Sequence, residues 1–126
     1  MTSELTDCGR KLLLRATGKL TASDISSNQA ALEQQKDALR NLQTCLLDFT
    51  EVSAMSLTAD EIQQLAERDK QLARLLPPIT IAVAAPTDVV FGLTRMWEVF
   101  AEGTRWQTRV FRSRTEAEAW LQSQNT

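Results

Sequence analysis

The hydrophobic positions along the chain alternate between two rhythms, four times over. Short runs that are largely apolar predict β-strands at Arg10–Ala16 (RKLLLRA), Thr44–Phe49 (TCLLDF), Ile79–Ala84 (ITIAVA) and Gln107–Phe111 (QTRVF). Each run gives way to a longer stretch in which apolar residues recur every three to four positions. That spacing predicts helices over Ser23–Leu42, Ala59–Leu76, Asp88–Glu102 and Arg114–Gln124. The helix starts are marked chemically. TADE at 58–61 and SRTE at 113–116 match the capping box, in which a hydroxyl accepts from an orphan amide and a carboxylate reaches back, and TASD at 21–24 is a weaker relative. Pro77 and Pro78 cannot continue the second helix, and Gly103 stands where a left-handed cap closes the third.

Strand followed by helix, repeated four times, implies an α/β fold with a mainly parallel four-stranded sheet and right-handed crossovers. The charges suggest the strand order. The second and third strands are nearly all apolar, as strands covered on both faces are, whereas the first carries Lys11 and Arg15 and the fourth Arg109. A sequential order with strands 1 and 4 at the edges follows. The length of 126 residues suits one domain spanning 1–126.

Composition narrows the function classes. The net charge of -2 offers no broad basic footprint, so nucleic acid is not the expected partner. There is no apolar run long enough for a transmembrane segment, and the polar start MTSELTDCGRK argues against a secretory signal, so a cytoplasmic location is expected. With no histidine, Cys8 and Cys45 form no zinc ligand set and no thiolate–imidazole pair, so no metal and no cofactor are expected. Cys45, inside a strand, is read as a small inert hydrophobe. Gln29, Gln34, Gln63 and Gln64 are read as solvated outer faces of the first two helices, and Trp106 and Trp120 as packing residues.

In an open parallel sheet, ligands gather outside the carboxyl ends of the strands. Those ends supply Asp48, Thr50, Thr87 and Asp88. No paired carboxylates for acid–base chemistry accompany them, so an enzyme is not expected. The stretch FGLTRMWEVF at 91–100 concentrates aromatic residues. At about 100° per residue, Val89, Val90, Leu93, Met96, Trp97 and Phe100 share a face and are assigned to the core. Phe91 projects almost opposite, alongside Arg95 and Glu98, with Gly92 beside it. Phe91, Gly92 and Arg95 are therefore expected to contribute to a ligand, membrane or dimer contact.

The phrases LLDFTEV, IAVAAPTDVVFGLTRMWE and VFRSRTEAEAWL, in this order of elements, resemble the SpoIIAA-like family of small stand-alone bacterial STAS-type domains, which are also likened in fold to CRAL-TRIO lipid-binding proteins. The resemblance runs from about Leu12 to Leu121. It implies a four-turn β/α superhelix and a non-catalytic regulatory module that binds a protein partner under the control of serine phosphorylation at the start of the second helix. The matching stretch here is SAMSLTA at 53–59, with Ser56 where the family has aspartate and Leu57 where it has the acceptor serine. Ser56 and Thr58 are the remaining hydroxyls and the candidate phosphorylation sites. The resemblance implies, as an alternative, a carrier or sensor of a small apolar or lipid-like ligand with peripheral membrane contact. It also makes a homodimer an expectation.

Overall fold

The computed structural model describes residues 1–124. In chain order the elements are β1 (Thr2–Thr6), β2 (Lys11–Thr21), α1 (Ala22–Gln34), β3 (Thr44–Ser56), α2 (Ala59–Leu75), β4 (Thr80–Ala84), α3 (Asp88–Phe100), β5 (Gln107–Phe111) and α4 (Arg114–Gln124). The strands form one sheet in the order β1-β2-β3-β4-β5. The pairings from β2 to β5 are parallel, and β1 runs antiparallel to β2.

The sheet thus has five strands, not four, and the strand predicted at one edge lies second. The edge belongs to β1, which joins β2 through a tight turn with Asp7 and Cys8 at φ 54° and 55°, closed by Gly9 N–H donating to Thr6 O at 3.1 Å. Positive φ at both central residues is the turn twist that two-residue hairpins favour. The charges of β2 mark a face, not an edge. Lys11, Leu13 and Arg15 alternate with the buried Leu12, Leu14 and Ala16. They point toward the α4 layer, and α4 packs on β3, β4 and β5.

Helices α1, α2 and α3 cover one face of the sheet and α4 the other. The first core joins Leu12, Leu14, Phe49, Ile81 and Val83 to Leu72 and Val90, and the second joins Leu46, Ala82 and Ala84 to Ala117 and Leu121. Consecutive residues of β4 therefore feed opposite layers, the period-2 signature of a strand buried on both sides. Its near-continuous apolar sequence follows from that double burial.

Two elements depart from expectation. The first helix stops at Gln34, because the amides of Lys36 and Leu42 bond three residues back, to Glu33 O and Leu39 O at 3.3 and 3.0 Å, instead of continuing the helical ladder. Leu39 and Leu42 anchor these turns in the core. The third helix is rotated about its axis. Val90 and Thr94 are buried, and Phe91, Leu93 and Trp97 are half-buried, whereas Val89, Met96 and Val99 are 62%, 37% and 57% exposed. Two contacts hold that rotation: Trp97 Nε1 donates to Asp69 Oδ2 at 2.7 Å, and the Phe91 ring lies 4.1 Å from the Arg112 guanidinium carbon. Thr94 fits the inward face by donating its hydroxyl to Val90 O at 2.7 Å.

Candidate functional site

The strand ends carry two polar clusters, each built around one aspartate. Asp48 closes the part of β3 that is paired with β4 and is 2% exposed. Its Oδ1 accepts from the Thr50 amide at 3.0 Å and the Thr50 hydroxyl at 2.6 Å, and its Oδ2 meets Arg114 at 3.0 Å and Arg15 at 3.5 Å. Burial acts to raise its pKa, but the Thr50 hydrogen bonds and the Arg114 charge outweigh burial and hold the carboxyl below its ordinary value. This is a neutralised buried carboxylate, which locks α4 to the sheet.

The second cluster stands at the start of α3. Thr87 caps the helix, its hydroxyl accepting from Val90 N at 3.3 Å, and Arg112 reaches from the end of β5 to Asp88 at 2.7 Å while lying over Phe91. Phe91 is therefore a packed, cation-covered ring, and the expectation that it points opposite the core face is corrected. Gly92 and Arg95 are exposed on α3, with Arg95 3.5 Å from Glu98. Space is open around Gly92, with no atom of the chain itself within 4 Å of where a Cβ would stand. Ser56 ends β3 opposite Thr21, and Thr58 caps α2 by accepting from Glu61 N at 3.1 Å while Glu61 accepts from Thr58 N at 2.9 Å. Both hydroxyl residues are exposed, and the register of Ser56 with Thr21 brings the N-termini of α1 and α2 together.

A further feature lies between the sheet and the three-helix layer: a cavity of about 110 Å³ walled by apolar side chains, among them Leu14, Cys45 and Ile81 from the sheet and Ile25, Leu65 and Leu93 from the helices. Its polar lining centres on Asp69. Gln29 Nε2 donates to Asp69 Oδ1 and to Leu65 O, both at 2.9 Å, and Trp97 donates to the other carboxylate oxygen. Because both partners of the Gln29 amide nitrogen are acceptors, the amide orientation is fixed and Oε1 is left over. Gln29 Oε1 and Trp106 Nε1 are buried with no hydrogen-bond partner. Burial raises the Asp69 pKa to about 6, opposed by the Gln29 and Trp97 hydrogen bonds, and burial together with the Asp69 charge pushes the Cys45 thiol up to about 12.

Neither Gln29 nor Asp69 was among the expected site residues, and Gln29, read as solvated, is 3% exposed. The signal was present in the spacing. Gln29 sits with Ile25 and Leu32 at i, i+4, i+7, and Asp69 sits between Leu65 and Leu72 on the inward face of α2. A polar residue inside an apolar stripe is the mark that was passed over.

No helix among the described residues is long and apolar enough to cross a membrane. No protein-family model matches the sequence, and no curated protein sequence matches it significantly. Among solved structures, the fold is similar to that of the anti-sigma factor antagonist SpoIIAA in its unphosphorylated form, with a TM-score of 0.56 and 16% sequence identity, covering 99% of this chain and 98% of that one. The chain therefore has a SpoIIAA-like, STAS-type fold.

Proposed function

We propose that the protein is a single-domain, non-catalytic regulatory module of the STAS-like type that acts in the cytoplasm by binding a protein partner. The observation that carries this reading is the likeness to an anti-sigma factor antagonist over nearly the whole of both chains. The aspartates at the strand ends do not form a reaction centre, since Asp48 is buried and neutralised by Thr50 and two arginines, whereas Asp88 is exposed and paired with Arg112. The partner contact is assigned to the outer surface of α3, where Val89, Met96 and Val99 are exposed alongside Asp88, Gly92 and Arg95, with the cap Thr87 at its start and the exposed Thr50 at the strand ends. Exposed apolar side chains rimmed by charge are what transient interfaces use. Ser56 and Thr58 are the sites at which a phosphate would regulate this contact, because a phosphate at a helix N-terminus meets the positive end of the dipole.

A photo-crosslinker at Val99, used in a lysate of the source cells, tests the reading. The expected result is one specific adduct, abolished by Met96→Asp and retained with Gln122→Ala on the α4 side. No specific adduct, or one indifferent to Met96→Asp, overturns it. An adduct with a second copy of the chain would identify the surface as a homodimer contact instead.

A second reading, a carrier or sensor of a small apolar ligand, is supported by the cavity beneath α1, α2 and α3 and its two unpartnered polar atoms.

A further inference from the structure

The cavity carries an inference about ligand class, which rests on this second reading. Its size comes first. An apolar cavity of about 150 Å³ admits benzene, and water-filled sites need polar partners on several sides. At about 110 Å³, this cavity is somewhat smaller than that, the scale of a short chain or, with small adjustment of its walls, a single ring.

Charge comes next. No lysine or arginine lines the cavity among the described residues, so a carboxylate or phosphate head would give up its water among largely apolar walls with no side-chain cation to meet. Asp69 has a donor on each oxygen, Gln29 on one and Trp97 on the other. A cationic head would give up its water for a single carboxylate in walls that are otherwise apolar. Two buried groups of lining residues have no hydrogen-bond partner, the acceptor Gln29 Oε1 and the donor Trp106 Nε1, and the Asn28 amide lines the cavity as well. Buried polar groups are seldom left unpaired, and the cost of leaving them so is recovered by whatever pairs with them. A hydroxyl supplies donor and acceptor in one atom and can serve either.

We propose that the cavity binds a small neutral molecule of single-ring or short-chain size bearing one hydroxyl, of the phenol or short-alcohol class, whose hydroxyl takes up the unused hydrogen-bonding capacity of Gln29 or Trp106. The apolar body packs against Leu14, Ile81 and Leu93. The ligand enters whole and leaves unchanged, with no bond made or broken.

Phenol and toluene, which differ by hydroxyl against methyl at nearly equal size, are the probes, with benzoate and benzylammonium as charged controls. Binding is followed on the full chain by calorimetry and by the Trp106 indole N–H resonance. An apolar site with no polar demand would hold toluene roughly tenfold or more tightly over phenol, because the hydroxyl loses water without replacement. The expected result is that phenol binds at least as tightly as toluene, and that Trp106→Phe or Gln29→Met weakens phenol about tenfold relative to toluene. The wild-type indole shift keeps the test decisive if a variant fails to fold. Toluene binding tenfold more tightly than phenol, or either ion binding more tightly than phenol, overturns this inference while leaving the broader carrier reading standing. Failure of all four probes to bind, as when the cavity holds only water, overturns both.

Discussion

Asp48 is buried and Asp69 half-buried, yet their ionisation is displaced in opposite directions. Asp48, held low by Thr50 and Arg114, gives the folded state stability above its ordinary pKa that is lost as pH falls below about 4. Asp69, raised to about 6, binds its proton more readily folded than unfolded, so the folded state loses stability as pH rises from about 4 to about 6. That loss is of the order of 3 kcal/mol once complete. Chemical denaturation across pH 3–8 is expected to show Asp69→Asn flattening the upper slope, with the lower slope kept, and Asp48→Asn doing the converse. The cysteines give a second prediction. With the Cys45 thiol pushed up to about 12 and buried, iodoacetamide at pH 8 is expected to modify Cys8 alone in the native protein and both cysteines in denaturant, as read by intact mass. Labelling of Cys45 at the native rate of Cys8 would contradict its burial. The inertness of Cys45 was legible from its apolar strand neighbours. The partners of Asp48 and Asp69 were not, since Arg114 lies 66 residues from Asp48, and Gln29 lies 40 from Asp69.

The elements were legible where periodicity and caps agree. The starts of α2, α3 and α4 fall where Thr58, Thr87 and Ser113 place them, and Thr58 and Thr21 close full capping boxes. Elements defined by pairing were harder to read. Residues 2–6 are all exposed, so β1 has no buried face to imprint alternation on the sequence, and it exists because β2 offers it a ladder. The end of α1 was missed because Leu39 and Leu42 continue an apolar spacing while the backbone has already changed to tighter turns. Those leucines are as buried as strand residues, so Leu39→Ala is expected to cost roughly 2–5 kcal/mol in urea unfolding, against under about 0.5 kcal/mol for the adjacent exposed Arg40→Ala. Equal effects would mean that the turn segment is only loosely attached. The rotation of α3 belongs here too. Val89, Met96 and Val99 are as apolar as the residues that face inward, and only the contacts of Trp97 and Phe91 with other elements choose between the two faces.

On the scale of the whole molecule, the sequential strand order was inferred correctly for the four parallel strands, although the charges taken as edge markers on β2 belong to a face. The division into three helices on one side and one on the other left no local trace, because it is a property of crossovers and not of any single segment. It makes the two sides of α3 unequal in consequence. Val99→Asp is expected to leave the unfolding midpoint nearly unchanged, whereas Val90→Asp, placing a charge in the core, is expected to abolish cooperative unfolding. The same division sorts the tryptophans. Trp97 and Trp106 look into the cavity, one indole bonded to a carboxylate and the other unbonded, while Trp120 sits across the sheet against Phe111, with ring centroids 5.7 Å apart. The protein thus carries its own spectroscopic probe pair and reference: emission from Trp97 and Trp106 is expected to respond to the ionisation of Asp69 and to any ligand in the cavity, with Trp120 as a baseline from the opposite layer.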